Sequence, residues 1–384
     1  MNILTLNKIS TVGTKEFGSG YNVSDSCEAP DAVMVRSASM HEMEMPESLL
    51  AIARAGAGVN NIPVAACAEK GIVVFNTPGA NANAVKELAV ASLMLASRDI
   101  VGGIEWARTL TGDDVAKQVE KGKSNFAGHE ISGKTLGVVG LGAIGVNVAN
   151  AAYALGMKVL GYDPYISLKS AWNLSSHIAK AATLDEIYEK CDIICLHVPL
   201  TDETKKFINA DSISKMKDGV IVINLSRADL VDDADMKNAL ESGKAAKYIT
   251  DFPNADTIKM KNCISIPHLG ASTEESEDNC AYMAAHELID YLENGNIVNS
   301  VNFPNVEMPK ASAVRICVFH HNVPAVLSKI SSVISSQNIN IANMINKSKG
   351  DFAYTMIDCD ENITDETVSL LNNIEGVIRI RVIK

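Results

Sequence analysis

The stretch Lys134-Thr-Leu-Gly-Val-Val-Gly140-Leu-Gly142-Ala143-Ile144-Gly145-Val-Asn-Val-Ala constrains this chain more than any other. A β-rich run from Leu136 to Val139 enters a glycine turn, and an alanine-rich helix leaves it. That order aims free backbone N–H groups and a positive helix end at an anion, the geometry that holds a pyrophosphate. The glycines have separate tasks. Gly140 makes the turn, Gly142 lets the backbone come close to the phosphates, and Gly145 lets helix and strand pack closely. A second strand, Met157-Lys-Val-Leu-Gly-Tyr, ends at Asp163, eighteen positions after Gly145 and near the ~20 expected for the acid that takes the ribose hydroxyls. A carboxylate there repels a 2′-phosphate, so the stretch predicts NAD rather than NADP.

From Lys134 onward strands and helices alternate, which predicts an α/β domain with a doubly wound parallel sheet. The strands expected are 136–139, 157–162, 192–198, 220–225, 246–251 and 263–266. Ligands of such sheets lie beyond the carboxyl ends of the strands. The residues to watch there are Asp163, His197-Val198-Pro199, Leu225-Ser226-Arg227, Asp251 and His268. Residues 1–97 also alternate: a strand ends at Arg36-Ser37, another runs into Gly56-Ala57-Gly58, a third spans Gly71 to Gly79, and a helix covers Ala84 to Ser97. A charged helix follows over 273–294. The last part changes to β-α-β-β-α-β, the ferredoxin-like order. The expected division is 1–97 with 275–304 as one lobe, 98–274 as the nucleotide-binding domain, 305–312 as a linker and 313–384 as a C-terminal module.

Charge limits the partners. A formal net charge of −12 over 384 residues argues against a general nucleic-acid or anionic-membrane surface. An anionic substrate must then be met by a local cluster of Arg or Lys. The eight cysteines show neither a C-x-x-C pair nor Cys/His metal spacing, the pattern of a reduced, cytoplasmic protein without a structural metal. No run reaches the ~20 apolar residues of a membrane span.

Holding a dinucleotide leaves several reactions open. Oxidising a 2-hydroxy acid requires a cation for the substrate carboxylate, a base for the hydroxyl proton and a carboxylate to orient that base. Arg227 suits the first task, because its fork matches a carboxylate bidentately. His268, followed by Gly270, suits the second.

Gly140-Leu-Gly-Ala-Ile-Gly145, Leu196-His-Val-Pro199, Asn224-Leu-Ser-Arg227 and Ile266-Pro-His268-Leu-Gly-Ala-Ser-Thr-Glu occur in an order that resembles the D-isomer-specific 2-hydroxyacid dehydrogenases. The resemblance spans nearly the whole chain. It implies a two-lobed dehydrogenase, with the helix after the histidine returning to complete the first lobe. With the C-terminal module included, it implies NAD-dependent oxidation of 3-phosphoglycerate to 3-phosphooxypyruvate, the entry to serine. It also implies a homodimer or homotetramer. Alternatives are another 2-oxo acid, such as glyoxylate or 2-oxoglutarate, and a non-catalytic NADH sensor of the same fold.

By resemblance, Arg227 matches the substrate arginine and His268 the acid/base. Asp256 falls where the family has its catalytic glutamate, one methylene shorter, and Asp256→Asn is expected to move the acidic limb of kcat/KM. Ala143, Ile144, Thr204, Asp251 and Gly270 match cofactor-side positions. Arg36, Ser37, the loop Gly56-Ala57-Gly58 and Asn81 match substrate-side positions. Ala38 stands where some members carry a second arginine, which leaves the phosphate short of cations. The C-terminal module resembles the ACT regulatory domain, and His320, Asn322 and Asn340 match the residues that contact an amino-acid effector, L-serine. Ala325 replaces the glycine usual in that turn.

Overall fold

The computed structural model describes all 384 residues. They divide into two compact units, Met1–Asn81 with Glu274–Lys384, and Ala82–Thr273.

The first unit begins with a five-stranded parallel sheet of β1 (Asn2–Leu6), β2 (Asn22–Ser24), β3 (Ala32–Val35), β4 (Ala51–Arg54) and β5 (Val73–Asn76), ordered β2-β1-β3-β4-β5. β3 is buried along its whole length, as are the first three residues of β4 and β5. This suits a parallel sheet covered on both faces. One cover is the helix Glu274–Asn294, whose Cys280, Ala284, Ala285, Leu288, Tyr291 and Leu292 enter the core at helical spacing.

The second unit holds a seven-stranded parallel sheet of β6 (Thr135–Val139), β7 (Lys158–Tyr162), β8 (Ala179–Lys180), β9 (Ile193–Leu196), β10 (Val220–Asn224), β11 (Ala245–Thr250) and β12 (Cys263–Ser265). Its order is β12-β11-β10-β9-β6-β7-β8. The chain leaves β6 toward one edge and returns to β9 on the other side, so β6 and β9 flank the switch point where such sheets bind ligands. Two features carried no strong sequence signal. β8 is two residues long, and the helices Ile100–Ala107 and Val115–Gly122 have no buried residue.

The C-terminal strands, β13 (Val314–His321), β14 (Ile341–Lys349), β15 (Phe352–Cys359) and β16 (Val377–Ile383), form an antiparallel sheet in the order β14-β15-β13-β16. One face packs on the helices Val326–Ser336 and Asp365–Asn372 through Ile316, Val318, Ile330, Ile334, Ile357 and Leu371. The other face joins the core of the first unit through Cys317, Phe319, Tyr354 and Met356, with Phe303 edge-on to Phe319 at 4.9 Å. Alternate strand residues point to opposite faces, so both faces can be apolar at once. On the face toward the first unit's core lies a wholly buried pair: Arg315 Nε and Nη2 donate to the two oxygens of Asp358 at 2.6 and 3.0 Å. Arg315 Nη1 donates to Asn294 O and the Ala311 N–H to Asp358. With its polar atoms engaged, the pair can lie in the core without an orphan charge. No helix is long and apolar enough to cross a membrane.

Candidate active site

The glycine turn has the geometry its sequence requires. Gly140 has φ +93°, and a Cβ there would lie 2.6 Å from His197 O, so the turn admits no side chain. The helix Ala143–Ala154 starts at Gly142 without a side-chain cap, and a Cβ at Gly142 would meet open space. An uncapped twelve-residue helix facing open space fits the pyrophosphate of a dinucleotide. Asp163 accepts N–H bonds from Leu141 and Tyr165, one on each oxygen, both at 2.8 Å. Each oxygen keeps a lone pair for a hydroxyl donor.

The His197 backbone backs this turn. Its N–H donates to Val139 O at 2.7 Å, its Nε2 lies 3.1 Å from Cys195 Sγ, and its Nδ1 is sealed from solvent without a partner. Burial pushes the imidazole down to about 4, so it is neutral at pH 7. The neutral, half-buried ring packs beside the turn, its Cβ within contact of Gly145. Val198 and Pro199 lead into a loop closed by Thr204, whose hydroxyl donates to Pro199 O at 2.7 Å.

At the end of β10, Asn224 is buried and builds the turn that presents Arg227. Its Nδ2 donates to Arg227 O at 2.8 Å and its Oδ1 accepts from the Ser226 N–H at 3.1 Å. Ser226 Oγ donates to Leu196 O on the neighbouring strand end, and Leu225 is buried beneath. The guanidinium of Arg227 is exposed and donates only to the adjacent Ser226 O. No carboxylate neutralises it, so its fork can take a substrate carboxylate.

His268 follows β12 in a left-handed turn, φ +54°. Its ring is exposed and stands 5.1 Å from that of Phe252. The turn is held by Asp251, whose carboxylate accepts the N–H groups of Leu269 and Gly270, each at 2.7 Å. Asp251 is 1 % exposed, and desolvation raises its carboxyl above the usual range, against the two amides and the nearby imidazole of His268. Asp256 stands differently. Asn254 Oδ1 accepts the N–H groups of Asp256 and Thr257, both at 2.9 Å, while Asn254 Nδ2 reaches Asp233. This Asx turn leaves the Asp256 side chain exposed, with no hydrogen bond or ion pair to His268. The expected partnership of Asp256 with His268 is therefore not formed in this structure.

In the first unit, Arg36, Arg54 and Asn76 mark the carboxyl ends of β3, β4 and β5. Asn7 Oδ1 accepts the N–H groups of Ser37 and Ala38. Arg36 is paired with Glu277 at 2.6 Å, both partners more than a third exposed. Arg54, absent from the sequence reading, donates from Nε to Arg36 O at 3.1 Å, and its guanidinium lies against Gly56. It stands two residues before the glycine loop, so the strand-end logic that picked Arg36 could have found it. Asn76 Nδ2 donates to Ala57 O at 2.6 Å and the Thr77 N–H to Gly56 O, which fixes the loop through Gly58. Asn81 is the last residue of this unit's first segment. Lys86 meets only Glu87, at 3.5 Å.

The three candidate effector residues are not assembled in one chain. His320 is buried, with Nε2 2.9 Å from Thr355 Oγ1 and Nδ1 2.8 Å from His321 O. Asn322 donates to Gly350 O, whereas Asn340 donates to Asp360. β13 and β14 both run antiparallel to β15 with their starts aligned at Cys359. Asn340 therefore lies about 25 Å from Asn322, the length of an eight-residue strand. Ala325 adopts φ +69°, the strained conformation a glycine would take freely.

Comparison with known proteins agrees with this architecture. Residues 91–270 match the model of the D-isomer specific 2-hydroxyacid dehydrogenase, NAD binding domain. A D-3-phosphoglycerate dehydrogenase of Haemophilus influenzae is 31% identical over 356 residues, 89% of this chain and 83% of that protein. D-3-phosphoglycerate dehydrogenase 1 of Saccharomyces cerevisiae is 32% identical over 355 residues, 85% of this chain and 72% of that protein. Among solved structures, the NAD+-bound 3-phosphoglycerate dehydrogenase of Entamoeba histolytica aligns with 79% of this chain and 98% of its own, at 27% identity and a TM-score of 0.59.

Proposed function

The chain belongs to the D-isomer-specific 2-hydroxyacid dehydrogenases, and from that premise we propose that it oxidises D-3-phosphoglycerate to 3-phosphooxypyruvate with NAD. The observation that carries the reading is the pair of strand-end turns that present Arg227 without a carboxylate partner and His268 exposed, on the sheet whose switch point holds the glycine turn. The free N–H groups of the turn at Gly142, Ala143 and Ile144 would hold the pyrophosphate, Asp163 the ribose hydroxyls, and the Asp251–Gly270 and Leu225–Ser226 ends the nicotinamide side. When bound, NAD supplies the hydride acceptor.

Arg227 clamps the substrate carboxylate through two parallel N–H bonds and draws electron density toward the C2 oxygen. An imidazole nitrogen of His268 takes the C2 hydroxyl proton as the carbonyl forms. Asp251 positions His268 by fixing the backbone on which it stands. Asp256 is held by its own loop and has a smaller part. Arg36 and Arg54, joined through the Arg36 carbonyl, are the cations for the phosphate, with Ser37, Asn81 and the 56–58 loop beside them. Two cations at that loop favour a phosphorylated substrate over glyoxylate. An exposed base and an unpaired arginine at strand ends of the same sheet favour an enzyme over a sensor.

A positioned general base contributes about 10²–10⁴-fold. His268→Asn should lower kcat with 3-phosphoglycerate by that factor while NADH binding, followed by fluorescence titration, stays the same. Equal turnover by the variant would reject the assignment. The regulatory reading requires two copies. His320 and Asn322 of one module would have to meet Asn340 of another, so serine inhibition should depend on a dimer or tetramer and vanish in Asn340→Ala. Millimolar serine that neither inhibits nor shifts the melting temperature would reject it.

A further inference from the structure

Glu287 lies on the long helix Glu274–Asn294, is 8 % exposed, and has no part in the chemistry above. Its Oε1 accepts from Asn299 Nδ2 at 2.8 Å, while Oε2 is sealed from solvent with no partner. Asn299 continues the path, because its carbonyl accepts the Asn76 N–H at 3.3 Å, and Asn76 Nδ2 donates to Ala57 O at 2.6 Å. Three hydrogen bonds thus lead from a buried carboxyl to the glycine loop beside Arg54. We infer that Glu287 is a positioning residue for the substrate loop Gly56–Gly58, acting through Asn299 and Asn76. This rests on the proposal that the loop binds substrate.

The surroundings make the protonation state of Glu287 matter. The helix packs on β3, β4, β5 and the turn Thr11–Thr14, which carry no ionisable side chain except Arg54. Arg54 and Arg36 bear on Cys280, two turns earlier. Along the helix, His286 is engaged by Glu16, Asp290 by Asn294 and Asn296, and the Tyr291 ring lies under Arg381. From the C-terminal sheet, Lys349 ends on Ser300 O. With Asn299 as the only group that favours the anion, burial pushes the carboxyl up to about 8. Below that pH Glu287 is neutral and fits its apolar site. Above it the Asn299 bond becomes charge-assisted, but the second oxygen is an orphan anion in an apolar site; turning that oxygen toward solvent relieves its desolvation, carries Asn299 with it and loosens the path to the loop. The folded-state value lies above the unfolded one, so this contribution is complete below about 4.5 and is lost as pH rises toward 8.

The test measures KM for 3-phosphoglycerate and for NAD, with kcat, from pH 6.5 to 9.5 in the full chain and in Glu287→Gln and Glu287→Leu. In parallel, hydrogen exchange of the 56–58 and Thr77 amides is followed without substrate. The wild-type KM for 3-phosphoglycerate should rise about fivefold above pH 8, whereas Glu287→Gln should stay flat and Glu287→Leu should be raised at every pH. The KM for NAD should not move. Loop amides should lose protection above pH 8 in the wild type and not in Glu287→Gln. Parallel KM profiles in wild type and Glu287→Gln, together with equal protection, would overturn the inference. Absence of turnover in the wild type would instead overturn the proposed substrate, and the exchange data would still decide the role of Glu287. If Glu287→Leu does not fold, the Glu287→Gln comparison stands alone.

Discussion

The carboxyl edges of the two parallel sheets are built in opposite ways. In Ala82–Thr273 the candidate side chains are carried by turns locked through buried polar groups, Asn224 under Arg227 and Asp251 under His268, while Arg227 and His268 themselves form no ion pair. In the first unit the cations are engaged, Arg36 by Glu277 and Arg54 by the backbone of its neighbour. Preorganised, unpartnered groups suit a reaction whose charges are the same in every turnover. Cations that trade one anion for another suit selection, since the ion they leave sets how strongly the next must bind.

Removing a bidentate, charge-assisted clamp forfeits two hydrogen bonds worth about 1.5–3 kcal/mol each. Arg227→Ala should therefore lower kcat/KM about 10²–10⁴-fold with NADH affinity unchanged, read by steady-state assay beside a binding titration. A loss below tenfold would mean that another cation holds the carboxylate. Asp251 and Asp256 come next. Asp251→Asn replaces an acceptor of two amides with a group that can receive them on only one atom, and should cost about ten- to a hundredfold in kcat/KM. Asp256→Asn, outside any bond to His268, should change it less than threefold and leave the acidic limb where it is. A moved limb in Asp256→Asn alone would restore the family-like pairing and require the 252–257 loop to close on the histidine.

A change of opposite sign belongs to the first unit. Glu277 is partly exposed, and exposed pairs contribute about 0.2–1 kcal/mol. Freeing Arg36 by Glu277→Gln should lower KM for 3-phosphoglycerate by no more than about fivefold, less at high salt. An increase in KM would mean that Glu277 orients Arg36 for the phosphate rather than competing with it.

The same contrast explains what could be read without coordinates. The glycine turn and the strand-end placement of Asp163, Arg227 and His268 were legible because alternating strands and helices mark where each strand stops and glycine leaves few alternatives there. The helices Ile100–Ala107 and Val115–Gly122 bury no residue, are eight residues each and are broken by Gly102, Gly103 and Gly112, so no long periodic run marks them in the sequence. Arg54 closes β4 directly before the glycine loop, where the glycines carry the stronger sequence signal. The position of Asp256 was not readable, since an Asx turn made by Asn254 decides where its carboxylate points. Glu287 was invisible for a similar reason: on a helix rich in acids, only packing distinguishes the one that is buried.

The claim that one edge does the chemistry while the other selects is tested most directly by a crossed assay. Wild type and Arg54→Leu are each given 3-phosphoglycerate, lactate and 2-hydroxyglutarate, with NAD and with NADP. Wild type should turn over 3-phosphoglycerate with NAD at the highest kcat/KM, and Arg54→Leu should lower that value about tenfold through KM while the unphosphorylated acids are unaffected. A wild type that prefers lactate, 2-hydroxyglutarate or NADP, or an Arg54→Leu that loses all substrates equally through kcat, would contradict it.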